Sequence, residues 1–262
     1  MNLVVANDDG IDDQGIWMLA EQLAAVGSVS LYAPARNYSG AGMSIKLQRT
    51  FDLNSFPAPE WFSPNIPAFS VDAPPATVAA IGTAHAFGGN THAVISGINA
   101  GWNPGAEAYK VSGTVGAAKV AVERGLLGIA ISAAGDGRSA YPAIALATRR
   151  MLLAIQEAFD QLPNVLVNVN IPASFSADSQ ARLTSPGLFT VFSDLMLKNS
   201  TVEPCQASIE LAYGDYFSSG SQPEEELSAL ADGMVAVSVT GRSPGDVLLD
   251  HPWPAIVAEF RP

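Results

Sequence analysis

Apolar positions along the chain come in short unbroken runs separated by longer amphipathic stretches. Residues 3–6, Leu-Val-Val-Ala, form one such run and predict a strand buried on both faces. Over residues 15–26, Ile16, Leu19, Ala20, Leu23 and Ala24 recur at helical spacing, and Gly27 is placed to stop that helix. Residues 28–33 predict a second strand, ended by Pro34. This β-α-β order favours a parallel sheet with right-handed crossovers. The alternation continues with a short strand at 69–71, a helix at 74–85 with proline in its first turn, and a strand at 93–95. A helix then runs from Ser112 to Arg124, closed by Gly125. A strand at 129–132, a long amphipathic helix at 140–162 and a strand at 165–169, ended by Pro172, complete the series. Beyond about residue 173 the alternation stops. Strands are expected at 190–192, 207–213 and 234–239, and the acidic stretch 218–226 reads as exposed. The prediction is one α/β domain: a doubly wound, mostly parallel sheet over residues 1–172, followed by a β-rich extension over 173–262.

Composition narrows the function classes. With 48% hydrophobic residues, a mean hydropathy of +0.21 and only 15% charged residues, the chain is too apolar to be disordered. No apolar run approaches the roughly 18 residues of a membrane span, so no membrane partner is expected. The formal net charge of −12, without a basic cluster, argues against duplex nucleic acid. A small anionic ligand on so acidic a protein would need a cation or local donors to neutralise it. The single cysteine, Cys205, allows no intrachain disulfide, and the amino terminus enters a strand without a basic leader. A cytoplasmic address is the default expectation.

Four oxygen- and amide-rich segments fall at successive strand ends or helix starts. Asn7-Asp8-Asp9-Gly10 follows the first strand, where parallel α/β sheets bind ligands. Adjacent carboxylates there stay ionised cheaply only beside a cation, and a hard divalent ion suits them; a plain Asp-Gly turn is the alternative. Asn37-Tyr38-Ser39-Gly40-Ala41-Gly42 could cradle a phosphate in its loop amides, but lacks the Gly-Lys-Ser/Thr of a nucleotide P-loop. Ser96-Gly97-Ile98-Asn99-Ala100-Gly101, with Asn103 close behind, offers amide oxygens and N–H groups, or an ordinary turn. Ser112-Gly113-Thr114 opens a helix, whose free N–H groups attract anions even where Ser112 is an ordinary cap. Their spacing lets all four meet in one crevice, where a metal ion rather than Lys or Arg would neutralise the anion. Gly241-Arg242-Ser243-Pro244-Gly245 fits the nucleophile-elbow letters, but Pro244 has no N–H for an oxyanion hole. His85, His92 and His251 lack metal-ligand spacing, and Trp17, Trp61 and Trp253 read as packing residues. Trp102, beside Asn103, is the tryptophan that could touch a ligand.

These segments resemble the SurE (survival protein E) family of metal-dependent nucleotidases. The matching pieces are Asn7-Asp8-Asp9-Gly10-Ile11, Ala33-Pro34-Ala35-Arg36-Asn37-Tyr38-Ser39-Gly40, Ser96-Gly97-Ile98-Asn99-Ala100-Gly101 and Ser112-Gly113-Thr114-Val115, in the family's order. The resemblance implies a Rossmann-like core whose C-terminal part assembles a homodimer or homotetramer. It implies hydrolysis of nucleoside 5′- or 3′-monophosphates, with one divalent cation per subunit, Mg²⁺ or Mn²⁺ before Ca²⁺. By that resemblance Asp8, Asp9, Ser39 and Asn99 would hold the cation. Asn37, Gly40, Asn103, Ser112, Gly113 and Thr114 would surround the phosphate, and Asp8 or Asp9 could act as base or nucleophile. The chain departs from the family at Ala76, where an aspartate is usual, at Val111 in place of tyrosine, and at Trp102. A protein that binds a nucleotide without turning it over is the rival reading.

Overall fold

The computed structural model describes residues 1–62, 65–135, 137–159, 162, 164–188, 196–203, 206–212 and 221–262, the hairpin at 196–212 mainly by its backbone. The strand expectations at 190–192, and Cys205, lie outside the described residues. The first half forms β1 (Asn2–Ala6), α1 (Gln14–Leu23), β2 (Ser28–Pro34), β3 (Asn54–Ser55), β4 (Ala68–Val71), α2 (Pro75–His85), β5 (Ala93–Ala100), α3 (Gly105–Val111) and α4 (Gly113–Glu123). The second half forms β6 (Leu127–Ala133), α5 (Tyr141–Ala158), β7 (Leu166–Ile171), β8 (Ala181–Thr184), β9 (Met196–Glu203), β10 (Gln206–Ala212), α6 (Glu226–Ala231), β11 (Val235–Thr240) and α7 (Trp253–Ala258).

One nine-stranded sheet runs in the order β3-β4-β2-β1-β5-β6-β7-β11-β8. From β4 to β7 every pairing is parallel, while β3 and β11 lie antiparallel to their neighbours β4 and β7. Beyond residue 172 the chain therefore does more than append strands: β8 and β11 extend the main sheet, and β9 and β10 pair with each other in a hairpin. Strand order reverses between β1 and β5, so the loops leaving their C-terminal ends flank the crevice where α/β sheets take ligands.

Both faces of the sheet are covered. In β1, Leu3 and Val5 join the apolar cluster under α1, α5 and α7, while Val4 and Ala6 join that under α2 and α4. Two-sided burial is why β1 reads as a continuous apolar run. Helix α1 is started by Asp13, whose carboxylate accepts the Gly15 N–H at 2.7 Å, a cap of about 1 kcal/mol. Among the described residues no helix is long and apolar enough to cross a membrane.

Several boundaries differ from expectation. Strand β5 does not stop at Ile95 but runs to Ala100, with a register irregularity between Ser96 and Asn99. Gly97 lies against β6, and a Cβ there would sit 2.5 Å from the Ile131 carbonyl oxygen, so the bare backbone lets the strand continue. Helices α3, α6 and α7 are additional, and the helix expected to reach residue 162 ends at Ala158. The acidic stretch is exposed at 221–224, but Glu226 at its end is fully buried. Trp17 and Trp253 are core residues, whereas Trp61 is 44% exposed. His85 ends α2, its Nδ1 2.6 Å from the Tyr32 hydroxyl, and His92 Nδ1 accepts the Asn2 N–H.

Candidate active site

The loop after β1 is fixed first. The Asn7 side chain donates to the Gly10 carbonyl at 2.8 Å and accepts the Gly10 N–H at 3.2 Å, while Ile11 N–H reaches the Pro34 carbonyl at 3.0 Å. This clamp holds Asp8 and Asp9 at the C-terminal edge of the sheet. Asp8 is buried, and its Oδ1 accepts the Thr114 hydroxyl at 2.6 Å. Thr114 also offers its main-chain N–H to Asp8, so both of its donors serve this carboxylate. Gly113 presses on the same side chain: a Cβ there would lie 2.7 Å from both Asp8 Cβ and Oδ2.

Asp9 gathers the other two segments. Asn37 Nδ2 donates to Asp9 Oδ1 at 3.1 Å, and Asn37 Oδ1 accepts the Ser39 N–H at 2.8 Å, which folds the β2 loop over the carboxylate. The Ala100 N–H at the end of β5 also reaches Asp9. The four segments thus meet around the two carboxylates: Ser39 follows Tyr38, whose N–H donates to the Asp8 carbonyl at 2.8 Å, Asn99 precedes Ala100, and Ser112 precedes Gly113. Asn99 Nδ2 donates to the Gly101 carbonyl at 2.7 Å, which leaves its Oδ1 as the acceptor end. Ser112 caps α4, its hydroxyl accepting the Val115 N–H at 3.1 Å. Gly42, at φ +56°, allows the Gly-rich loop to press on α3, where a Cβ would come within 2.2 Å of the Lys110 carbonyl.

The electrostatics follow from burial. Desolvation raises the Asp8 pKa, partly offset by the Thr114 hydrogen bonds. Burial pushes Asp9 up to about 6, reinforced by the charges of Asp8 and Asp13. Asp9 Oδ2 is buried and has no hydrogen-bond partner. Two crowded carboxylates, one with an unpartnered oxygen, are groups whose charge a cation would neutralise. Among the described residues no cluster of three or more His, Cys, Asp or Glu side chains exists, so a cation here would rest on the two carboxylates and on neutral hydroxyl or amide oxygens. That hard, carboxylate-poor set suits Mg²⁺ or Mn²⁺, which keep water and substrate phosphate as remaining ligands.

The sequence reading missed Arg138 and Tyr141. Arg138 ion-pairs with Asp13 at 2.7 Å, and its charge lowers the Asp9 pKa. The buried Tyr141 hydroxyl has no partner, and burial, reinforced by the charges of Asp13 and Asp9, holds its pKa up at about 12. Their position just after β6, at the same sheet edge, was the available signal. Asn103 is held from the β6 and β7 side: its N–H donates to Asn170 Oδ1 and its Nδ2 to Ser132 Oγ, both at 2.8 Å. Trp102 donates from its indole to the Ile171 carbonyl at 2.6 Å. Ala76 is buried in the α2 core, and Asp72 takes part in an exposed network with Arg36, Tyr38 and Lys46. Gly241–Gly245 is a turn in which Ser243 Oγ accepts the Gly245 N–H.

The family model for "Survival protein SurE" matches residues 3–190. The chain belongs to the SurE family. The 5′-nucleotidase SurE of Geobacter metallireducens is 34% identical over 66% of this chain and 65% of its own length. That of Chloroflexus aggregans is 36% identical over 66% and 67%. The 5′-nucleotidase SurE of Gloeobacter violaceus is 30% identical over 91% of this chain and 89% of its own. The crystal structure of a SurE protein from Aquifex aeolicus superposes with a TM-score of 0.73 at 24% identity, covering 93% of this chain and 94% of that one, and carries the fold. The α/β architecture is that of the SurE family.

Proposed function

We propose that this chain is a phosphomonoesterase that hydrolyses nucleoside 5′- or 3′-monophosphates with the aid of a divalent cation. The observation that carries the reading is the pair Asp8 and Asp9, held side by side at the β1/β5 crevice with Asp9 Oδ2 buried and unpartnered. The SurE relatives named 5′-nucleotidase support the same reaction class. Asp8, Asp9, Ser39 and Asn99 would hold the ion. A bound divalent cation supplies polarisation of a phosphoryl oxygen and acidification of a water. Asn37 orients Asp9, and Thr114 orients Asp8. The N–H groups at the start of α4, with Ser112 and Gly113, the Gly40 loop and Asn103 would bind the equatorial phosphate oxygens. Phosphoryl transfer depends mainly on such positioning and charge stabilisation. The β9–β10 hairpin, which among the described residues pairs with no strand of the main sheet, is the surface we assign to assembly as a homodimer or homotetramer.

The test is phosphate release from a panel of nucleoside monophosphates and an aryl phosphate, with EDTA and with Mg²⁺ or Mn²⁺ restored. Release that requires the metal, and falls at least 100-fold in Asp9→Asn, is expected. A folded protein that binds nucleotides but releases no phosphate with any metal would contradict the proposal and favour a binding protein.

A further inference from the structure

Glu226 is fully buried, although it ends the most acidic stretch of the chain. Four donors converge on its carboxylate. Oε1 accepts Ser238 Oγ of β11 at 2.7 Å, Asn168 Nδ2 of β7 at 3.0 Å and, more weakly, Asn170 Nδ2 of β7 at 3.5 Å. Oε2 accepts the Gly105 N–H at the start of α3. The two amides then continue to the β5–α3 turn. Asn170 Oδ1 accepts the Asn103 N–H at 2.8 Å, and Asn168 Nδ2 reaches the Asn103 carbonyl at 2.9 Å. An ionised carboxylate only accepts, so it dictates that both amides face it with nitrogen. That choice turns the Asn170 oxygen toward the Asn103 N–H. The main chain of Asn103 and Gly105 is thereby fixed by Glu226 directly or by an amide it orients.

We infer that Glu226 is a positioning residue for the phosphate end of the site, acting as an ionised post that sets the Asn103–Gly105 turn. The inference rests on the proposed role of Asn103 in holding phosphate. A protonated carboxyl would present an O–H where four donors now converge; the Ser238 hydroxyl can turn to accept it, but the Gly105 and amide N–H groups cannot, so protonation re-sorts the contacts that reach the Asn103–Gly105 turn. The turn therefore loosens as Glu226 takes up its proton. Burial among neutral donors places that titration at about 7. The groups facing it are Asn168 and Asn170 from β7, Ser238 from β11 and the Tyr109 phenol of α3, which bonds Thr240 at 3.1 Å; no cation contributes to its shift.

The test measures the inhibition constant of inorganic phosphate and the KM and kcat of a nucleoside monophosphate, in metal-loaded enzyme from pH 6 to 8.5. Amide exchange at Gly105 is followed in parallel. Wild type should bind phosphate more weakly as pH falls through about 7. Glu226→Gln should weaken phosphate about 10-fold at pH 8, raise KM more than it lowers kcat, reduce the acid limb to what the protonation of phosphate and of Asp9 leaves, and speed Gly105 exchange. Ser238→Ala, a milder change, removes a donor that stabilises the carboxylate and should move the acid limb to higher pH. A Glu226→Gln enzyme with wild-type phosphate affinity, or an acid limb that Ser238→Ala leaves in place, would overturn the inference. So would exchange that rises uniformly across the sheet instead of at Gly105, since that marks a structural role alone. Should wild type release no phosphate, the nucleotidase reading fails, and phosphate binding with Gly105 exchange still decides the role of Glu226.

Discussion

Replacing Gly113 with alanine tests the packing that sets Asp8. The added Cβ would lie 2.7 Å from Asp8 Cβ, 2.7 Å from Oδ2 and 3.0 Å from Cγ. Carbon atoms pack at about 3.5–4.0 Å, so one side must give by about 1 Å. The clash includes Asp8 Cβ, which no rotamer change can move, so the backbone of the Asp8 loop or the start of α4 must shift, and the Asp8–Thr114 hydrogen bond shifts with it. Overpacking of this kind costs about 1–3 kcal/mol, offset by up to about 1 kcal/mol from the better helix propensity of alanine. Thermal stability should therefore drop only by several degrees. A displacement of about 1 Å at a catalytic centre costs about 100-fold in rate. The expected result is a folded Gly113→Ala protein with kcat/KM for nucleoside monophosphates down about 100-fold. Gly135→Ala is the control: Gly135 has nothing within 4 Å of a built Cβ, and the variant should be indistinguishable from wild type. Wild-type turnover in Gly113→Ala would refute the claim that the Asp8 carboxylate must occupy its present place.

Three other outcomes are expected. Thr114→Val keeps the shape but removes the hydroxyl donated to Asp8, and titration calorimetry should show Mn²⁺ affinity about 10-fold weaker, a charge-assisted hydrogen bond being worth about 1.5–3 kcal/mol. Stability should depend on pH through Glu226. Its carboxyl titrates at 4.5 when unfolded and at about 7 when folded, so the folded state keeps its proton longer. The group's contribution is complete below pH 4.5 and fades by about 3 kcal/mol as pH rises to about 7. Denaturant melts at pH 5 and pH 8 should show a smaller difference for Glu226→Gln than for wild type. Trp102 lines an open groove of about 450 Å³ with Pro172, Ala173, Leu230 and Ala231 at the same sheet edge, so Trp102→Ala should raise KM for a purine monophosphate more than for a base-free phosphomonoester; equal effects would leave the indole a packing residue.

Much of the sheet was legible because its parallel strands are buried on both faces. The continuous run at residues 3–6, the largely apolar stretch 165–169 and the amphipathic period of α1 and α5 survive in the letters. That Asp8 and Asp9 sit together at the C-terminal edge of the sheet was legible for a different reason: Asn7-Asp8-Asp9-Gly10 directly follows a buried strand, where parallel α/β sheets place their ligand loops. The end of β5 was not, because Ser96-Gly97-Ile98-Asn99 has the composition of a turn, and only contact with β6 makes it a strand. Helices α3 and α6, of seven and six residues, are too short for a 3.6-residue period to be counted. Thr114 was expected to face phosphate, yet its hydroxyl serves Asp8, 106 positions earlier in the chain. Glu226 was misread as exposed because its partners Gly105 and Asn168 lie 121 and 58 positions away. Local sequence reports the acidity of such a residue and nothing of the donors that bury it.

The most direct test of the account is the anomalous scattering of Mn²⁺ in crystals grown with Mn²⁺ and inorganic phosphate. One peak is expected between the Asp8 and Asp9 carboxylates, within bonding distance of Ser39 and Asn99 oxygens or of waters they hold, with phosphate at the start of α4. A manganese ion bound elsewhere, or a β1/β5 crevice that stays empty while the protein turns over nucleotides, would contradict it.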